Sequence, residues 1–136
     1  MKKRGIINRD LAGIIAGFGH TDKIVVCDCG LPIPEDAVVV DLALVQGIPS
    51  FLDVLKALEA EMVFEGAYLS KDIKEKNPKI LDQMRKIIPG NIPFTYLKHT
   101  EFKEMTCQEG VIFVRTGEAT PFANVLLTGG VSFLIP

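Results

Sequence analysis

A chain of 136 residues with a formal net charge of -2 and 48% apolar residues is long enough to close one hydrophobic core without metal or disulfide support. It offers no basic stripe to hold a phosphate backbone, so nucleic acid is not an expected partner. No apolar run is long enough to span a bilayer, and Asn8, Arg9 and Asp10 interrupt the stretch after the basic start too early for a secretory signal core. The expectation is a cytoplasmic protein of one domain, 1–136, with no membrane partner.

Leu11, Ile14, Ile15 and Phe18 fall at helical spacing behind a capping Asn8, and Gly17 with Gly19 offers a left-handed stop. Ile24 to Cys27 reads as a strand covered on both faces, with Asp28 at its carboxyl end. Gly30, Pro32 and Pro34 force a loop before a second strand at Val38 to Val40. Pro49 and Ser50 open a helix with Asp53 as capping-box partner and Leu55, Leu58 and Met62 on one face. A strand near Ala67 to Leu69 follows, then a helix that Asn77 caps and Pro78 starts. Phe94 to Leu97 and Val111 to Val114 are further strands, separated by a short helix that His99 and Thr100 precede. After a polar loop from Arg115 to Asn124, Val125 to Leu127 returns to apolar sequence. The alternation predicts an α/β fold, a single layered domain with helices packed on a central sheet.

Ligands collect at the carboxyl ends of strands in open α/β sheets. Asp28, His99 and the Arg115 to Asn124 loop occupy such ends, and His20 lies on the turn into the first strand; if those strands are neighbours, the groups converge. Two imidazoles, a carboxylate and an amide suit a small polyhydroxylated ligand. Each residue also has a plainer reading. His20 in a helix-ending turn is satisfied by a carbonyl or by Asp22, Asp28 forms a turn, His99 starts a helix, and Arg115 with Glu118 makes an ion pair that only shapes the loop. Cys27 and Cys29 with the two histidines have zinc-type donors, but the cysteine spacing argues against a metal. The three cysteines are an odd count and read as reduced thiols. The mean hydropathy is positive, which for a small domain points to a homo-oligomer.

With these residues assembled, the chain resembles the D-ribose pyranase family nearly from end to end. The likeness rests on Gly19-His20-Thr21-Asp22-Lys23, on Asp28-Cys29-Gly30-Leu31-Pro32-Ile33-Pro34 and on Gly47-Ile48-Pro49 before Phe51. It continues through His99 with Glu101-Phe102, and through Arg115-Thr116-Gly117-Glu118 followed by Thr120-Pro121-Phe122-Ala123-Asn124. The resemblance implies an α/β fold, a ring-like homo-oligomer and sugar sites near subunit contacts. It also implies interconversion of the pyranose and furanose forms of D-ribose without a cofactor or metal. Carried over by motif, His20 is the catalytic acid, while Asp28, His99, Phe122, Ala123 and Asn124 contact the sugar. The family pattern usually has tyrosine where this chain has Phe122. The L-fucose mutarotases look similar around Gly19-His20, Thr116-Gly117-Glu118 and Asn124, but Gly30-Leu31-Pro32-Ile33-Pro34 is the ribose-type form. The alternatives are a mutarotase for fucose or another monosaccharide, and a non-catalytic sugar-binding module.

Overall fold

The computed structural model describes residues 1–133. Helix α1, Arg9–Ala16, is capped by the Asn8 side chain, which accepts from the Leu11 N–H. Strand β1 is Lys23–Cys27, β2 is Val38–Asp41, and helix α2 is Phe51–Glu59. Ser50 caps α2 by accepting from the Asp53 N–H at 3.1 Å. Then come β3 (Phe64–Ser70), α3 (Ile73–Lys76), α4 (Pro78–Ile87) and β4 (Phe94–Leu97). Helix α5 (His99–Thr106), β5 (Ile112–Arg115) and β6 (Val125–Gly129) complete the described chain.

The six strands form one sheet in the order β2-β5-β1-β6-β3-β4. All are parallel except β6, which runs antiparallel between β1 and β3. Because successive strand residues point to opposite faces, β1 sends Ile24 and Val26 into one core and Val25 and Cys27 into the other. The first core also holds Leu11 of α1, Phe51, Leu55 and Leu58 of α2, and Leu81 and Met84 of α4. Phe102 of α5 closes the second with Leu31, Phe113 and Leu126. Burying each such side chain stabilises the fold by roughly 1.5–3 kcal/mol, and coverage on both faces explains the continuous apolar runs of β1 and β6.

Three local expectations give way. Gly17 ends α1 at φ -94, so the left-handed residue of this turn is Thr21, at φ 69. Asn77 makes no side-chain cap at α4; its amide instead reaches across to the loop before β6. Met62 lies beyond the end of α2 at Glu59, and helix α3 carries no sequence signal of its own because it spans a single turn.

Candidate active site

Parallel strands place their carboxyl ends along one edge of the sheet, and the reversed β6 begins there. That reversal brings Asn124, just before β6, beside Asp28, just after β1. The two side chains clasp each other. The Asn124 carbonyl oxygen accepts from the Asp28 backbone N–H at 2.9 Å, and its amide nitrogen donates to Asp28 Oδ2 at 3.2 Å. Asp28 Oδ1 accepts from the Gly30 N–H at 3.0 Å, which is the turn expected of Asp28 and does not take its carboxylate away from the carboxyl edge. Burial pushes the Asp28 carboxyl above its ordinary 3.8, aided by the negative charge of Glu118, while the hydrogen bonds from Gly30, Asn124 and Leu31 pull the other way.

His99 opens α5 at the same edge. Its ring meets Phe122 edge-on, with centroids 5.0 Å apart at 86°, and lies over Phe102 at 6.5 Å. Its Nδ1 is buried and has no hydrogen-bond partner among the described residues, an exception to the usual satisfaction of buried polar atoms. Phe122 sits at φ 58, and its carbonyl accepts from the Asn124 N–H at 2.9 Å, a tight turn that presents Phe122, Ala123 and Asn124 in sequence.

The loop from Arg115 to Asn124 is anchored from within. Glu118 does not pair with Arg115. It is 8% exposed, and its Oε1 accepts from the Phe51 N–H at the start of α2 while Oε2 accepts from Thr120 Oγ1 at 2.8 Å. The partial positive charge of a helix amino end favours a carboxylate there. Asn77 extends this chain by donating to Thr120 Oγ1 and to the Pro121 carbonyl. Thr116 donates to the Cys27 carbonyl at 2.8 Å, tying the loop to β1. Gly117 lies so close to the loop before α2 that a Cβ there would meet Ile48 O at 2.5 Å, so no larger residue fits. Arg115 turns outward to both oxygens of Asp41 at 3.1 Å and to the Cys29 carbonyl. Sequence spacing shows Glu118 and Arg115 as near neighbours but cannot show which one turns inward.

His20 stands apart. It precedes β1, whereas Asp28 follows it, and five strand residues span roughly 16 Å. Within one chain, therefore, His20 does not converge with Asp28, His99 and Asn124, contrary to the expectation from neighbouring strands. Its partner is Glu65 rather than Asp22 or a carbonyl, with Nε2 and Oε2 2.9 Å apart. Asp22 is engaged locally, accepting from the Gly19 N–H. Glu65 is the polar residue that sequence reasoning passed over, and Glu118 was read only as a partner for Arg115. The signal for Glu65 is an acidic residue beside Gly66 in an apolar strand, the mark of a bulge.

Cys27 and Cys29 lie at the carboxyl end of β1, but no group of three or more His, Cys, Asp or Glu that could hold a metal forms among the described residues. Cys27 is buried, its thiol pushed up to about 12 chiefly by burial, which makes it inert as a nucleophile; Cys29 is half-buried and Cys107 exposed. A cavity of about 400 Å³ lies elsewhere, lined by residues such as Ala37, Val38, Gln108 and Phe113.

A mixed, mostly parallel sheet covered on both faces, with a carboxylate, an imidazole and an amide fixed at its carboxyl edge, defines a small α/β protein with a polar-ligand site. The chain belongs to the RbsD / FucU transport protein family, whose pattern matches residues 1–132. It is 50% identical over 133 residues to a D-ribose pyranase of Halalkalibacterium halodurans, covering 98% of this chain and 100% of that one. Identity to a D-ribose pyranase of Kosmotoga olearia is 47%, with the same coverage. The structure of Bacillus subtilis RbsD complexed with D-ribose superposes with a TM-score of 0.91 at 41% identity, covering 98% of this chain and 100% of that one. A fucose mutarotase in complex with L-fucose from Streptococcus pneumoniae gives a TM-score of 0.79 at 25% identity, covering 93% and 95%.

Proposed function

We propose that this chain interconverts the pyranose and furanose forms of D-ribose by opening and reclosing the hemiacetal. The observation that carries the reading is the Asp28–Asn124 clasp beside His99, in a chain half identical over nearly its whole length to a protein named D-ribose pyranase. Asp28 supplies a carboxylate to sugar hydroxyls, and His99 with Phe122, Ala123 and Asn124 bounds the ring. The reaction needs only protons. The O1 hydroxyl loses one to a base, the C1–O5 bond breaks, and O5 takes one from the general acid; the 4-hydroxyl then gives up its proton as O4 bonds to C1, and O1 regains one. Atoms balance without oxidant, phosphate or metal. His20 is the acid, and His99 or a bound water is the base.

Since one chain holds His20 and Asp28 at opposite ends of β1, His20 must come from a second copy. Support for a homo-oligomer, which we take to be larger than a dimer, comes for the association itself from the edge strand β2 and the loop after it. Val38 and Val39 lie on that unpaired edge, and Leu44, Val45 and Ile48 are each more than half exposed. The same loop lines a cavity of about 250 Å³ with Cys29 and Arg115, next to Asp28, so a copy seated on it reaches the carboxyl edge. Among the described residues no helix is long and apolar enough to cross a membrane. Three free cysteines suit a reducing compartment, and we place the reaction in the cytoplasm.

Magnetisation transfer between pyranose and furanose signals in NMR tests this. With ribose the protein accelerates exchange. Ribose binding without faster exchange identifies a sugar-binding module, and acceleration of anomer exchange with fucose alone identifies a mutarotase.

A further inference from the structure

Strand β3 is irregular at one point. Phe64 pairs with Gly129 and Gly66 with Thr128, so two residues of β3 face one of β6, and Glu65 is the extra residue of the bulge. A bulge bends its strand and re-aims the side chain it carries. The end of β6 that makes this mismatch also grips the His20 turn. The Thr21 N–H donates to the Gly129 carbonyl at 2.9 Å, and the Gly129 N–H donates to the Asp22 carbonyl at 2.8 Å. A Cβ on Gly129 would lie 2.5 Å from the Gly19 carbonyl oxygen, so glycine is what allows the turn to sit this close. One backbone position thus holds both the turn that carries His20 and the bulge that carries Glu65. Their side chains meet at 2.9 Å across 45 residues of sequence.

We propose, resting on the reading of His20 as the proton donor, that Glu65 is a positioning residue that fixes the His20 imidazole for proton transfer. A carboxylate only accepts, so in this contact Nε2 carries the hydrogen and Nδ1 is left to exchange a proton with the sugar. Glu65 is free for this role because the other charges of the turn are committed: Asp22 to the Gly19 N–H and Lys23 to the Gln108 side chain at 3.1 Å. The side chains of His20 and Glu65 are 53% and 46% exposed. Water therefore weakens the contact in a lone copy, and a second copy seated over it strengthens it by excluding solvent.

The test uses Glu65→Ala and Glu65→Gln in the assembled protein. Glu65→Ala lowers kcat about tenfold with KM unchanged, the scale of one charge-assisted hydrogen bond partly open to water. Glu65→Gln, whose amide oxygen still accepts from Nε2, regains most of that loss. In a His20→Asn background Glu65→Ala costs nothing further, because the group it positions is gone. Equal losses in both backgrounds, or a change confined to KM, overturn the proposal in favour of a structural or sugar-contacting role. A sugar-free measurement keeps the two readings apart: the exchange-protected His20 Nε2 proton signal is present in the wild type and lost in Glu65→Ala. If the wild type shows that signal but no acceleration with ribose, the proposed function fails while the pairing stands; a signal indifferent to Glu65 overturns the pairing.

Discussion

The two edges of the sheet are built differently. At the carboxyl edge hydrogen bonds within the chain tie Asp28 to Asn124 and, separately, Glu118 to Thr120 and Asn77, and Asn124 and Glu118 are almost wholly buried. At the opposite edge His20 and Glu65 stand half exposed, held in place by backbone contacts of β6 rather than by a buried network. A site that must bind a sugar in one orientation gains from a rigid, desolvated wall, because the ordering is complete before the ligand arrives. The proposed contribution of His20 to another copy requires it to remain on the surface until the copies meet. The division of labour therefore predicts that lesions at the first edge harm stability and affinity together, while lesions at the second harm turnover alone.

The largest effect belongs to His20. His20→Asn keeps a polar side chain of similar reach but cannot cycle a proton near neutral pH, so ring-form exchange falls by about 10²-fold or more. Fold, assembly and ribose affinity persist, as circular dichroism, sedimentation and titration calorimetry check. Exchange near the wild-type rate in a correctly assembled variant removes the assigned role. Mixing sharpens the contrast between edges: copies carrying His20→Asn, co-assembled with copies carrying Asp28→Ala, regain exchange that neither shows alone. Continued inactivity of the mixture places both residues in one chain's site and breaks the comparison.

Glu118→Ala acts at the other edge and on another quantity. It leaves the buried Phe51 N–H without its acceptor, while the exposed Thr120 hydroxyl turns to water, a loss of about 2 kcal/mol in unfolding free energy measured by urea titration. Ribose affinity falls with it, because the loop that presents Phe122 to Asn124 loses its anchor on α2.

How much of this was legible in the sequence follows the range of the interactions. Local rules placed Asp28 at a strand end, His99 at a helix start and Asn8 and Ser50 at caps, since each depends on a few neighbouring residues. The antiparallel entry of β6 between β1 and β3 was not legible, and the Asp28–Asn124 clasp depends on it. Asn77 has the sequence context of a cap and the structure of a tether, because the Thr120 hydroxyl that claims its amide lies 43 residues away. The pairing of His20 with Glu65 was hidden for the same reason. Family motifs supplied candidate site residues but carried no information on the side chains each of them meets.

A smaller effect comes from acid. Burial raises the Asp28 carboxyl above 3.8, so the folded state binds its proton more readily than the unfolded chain. The stabilisation that this proton confers is complete below the unfolded value and is lost as the pH rises through the folded one; at neutral pH the carboxylate opposes folding. Ribose affinity runs the opposite way. If Asp28 accepts sugar hydroxyls as proposed, acidification removes that charge and affinity falls with a midpoint above 3.8, read by calorimetry across the range in which the protein stays folded. Affinity that stays flat until below 3.8 detaches Asp28 from the sugar.

The smallest effect is expected at Phe122. Its ring packs edge-on against His99 and against the main core, so its first contribution is to hold the His99 imidazole at the carboxyl edge. Phe122→Tyr keeps that ring and adds a hydroxyl that can reach the sugar directly or through water. One further neutral hydrogen bond exchanged against water contributes about 0.5–1 kcal/mol, a gain of roughly two- to fivefold in ribose affinity. kcat stays unchanged, because the added group lies at the carboxyl edge, away from the proton transfer proposed for His20. An affinity loss instead shows that the hydroxyl collides with His99, and that the edge-on contact sets the shape of this wall more tightly than hydrogen bonding does.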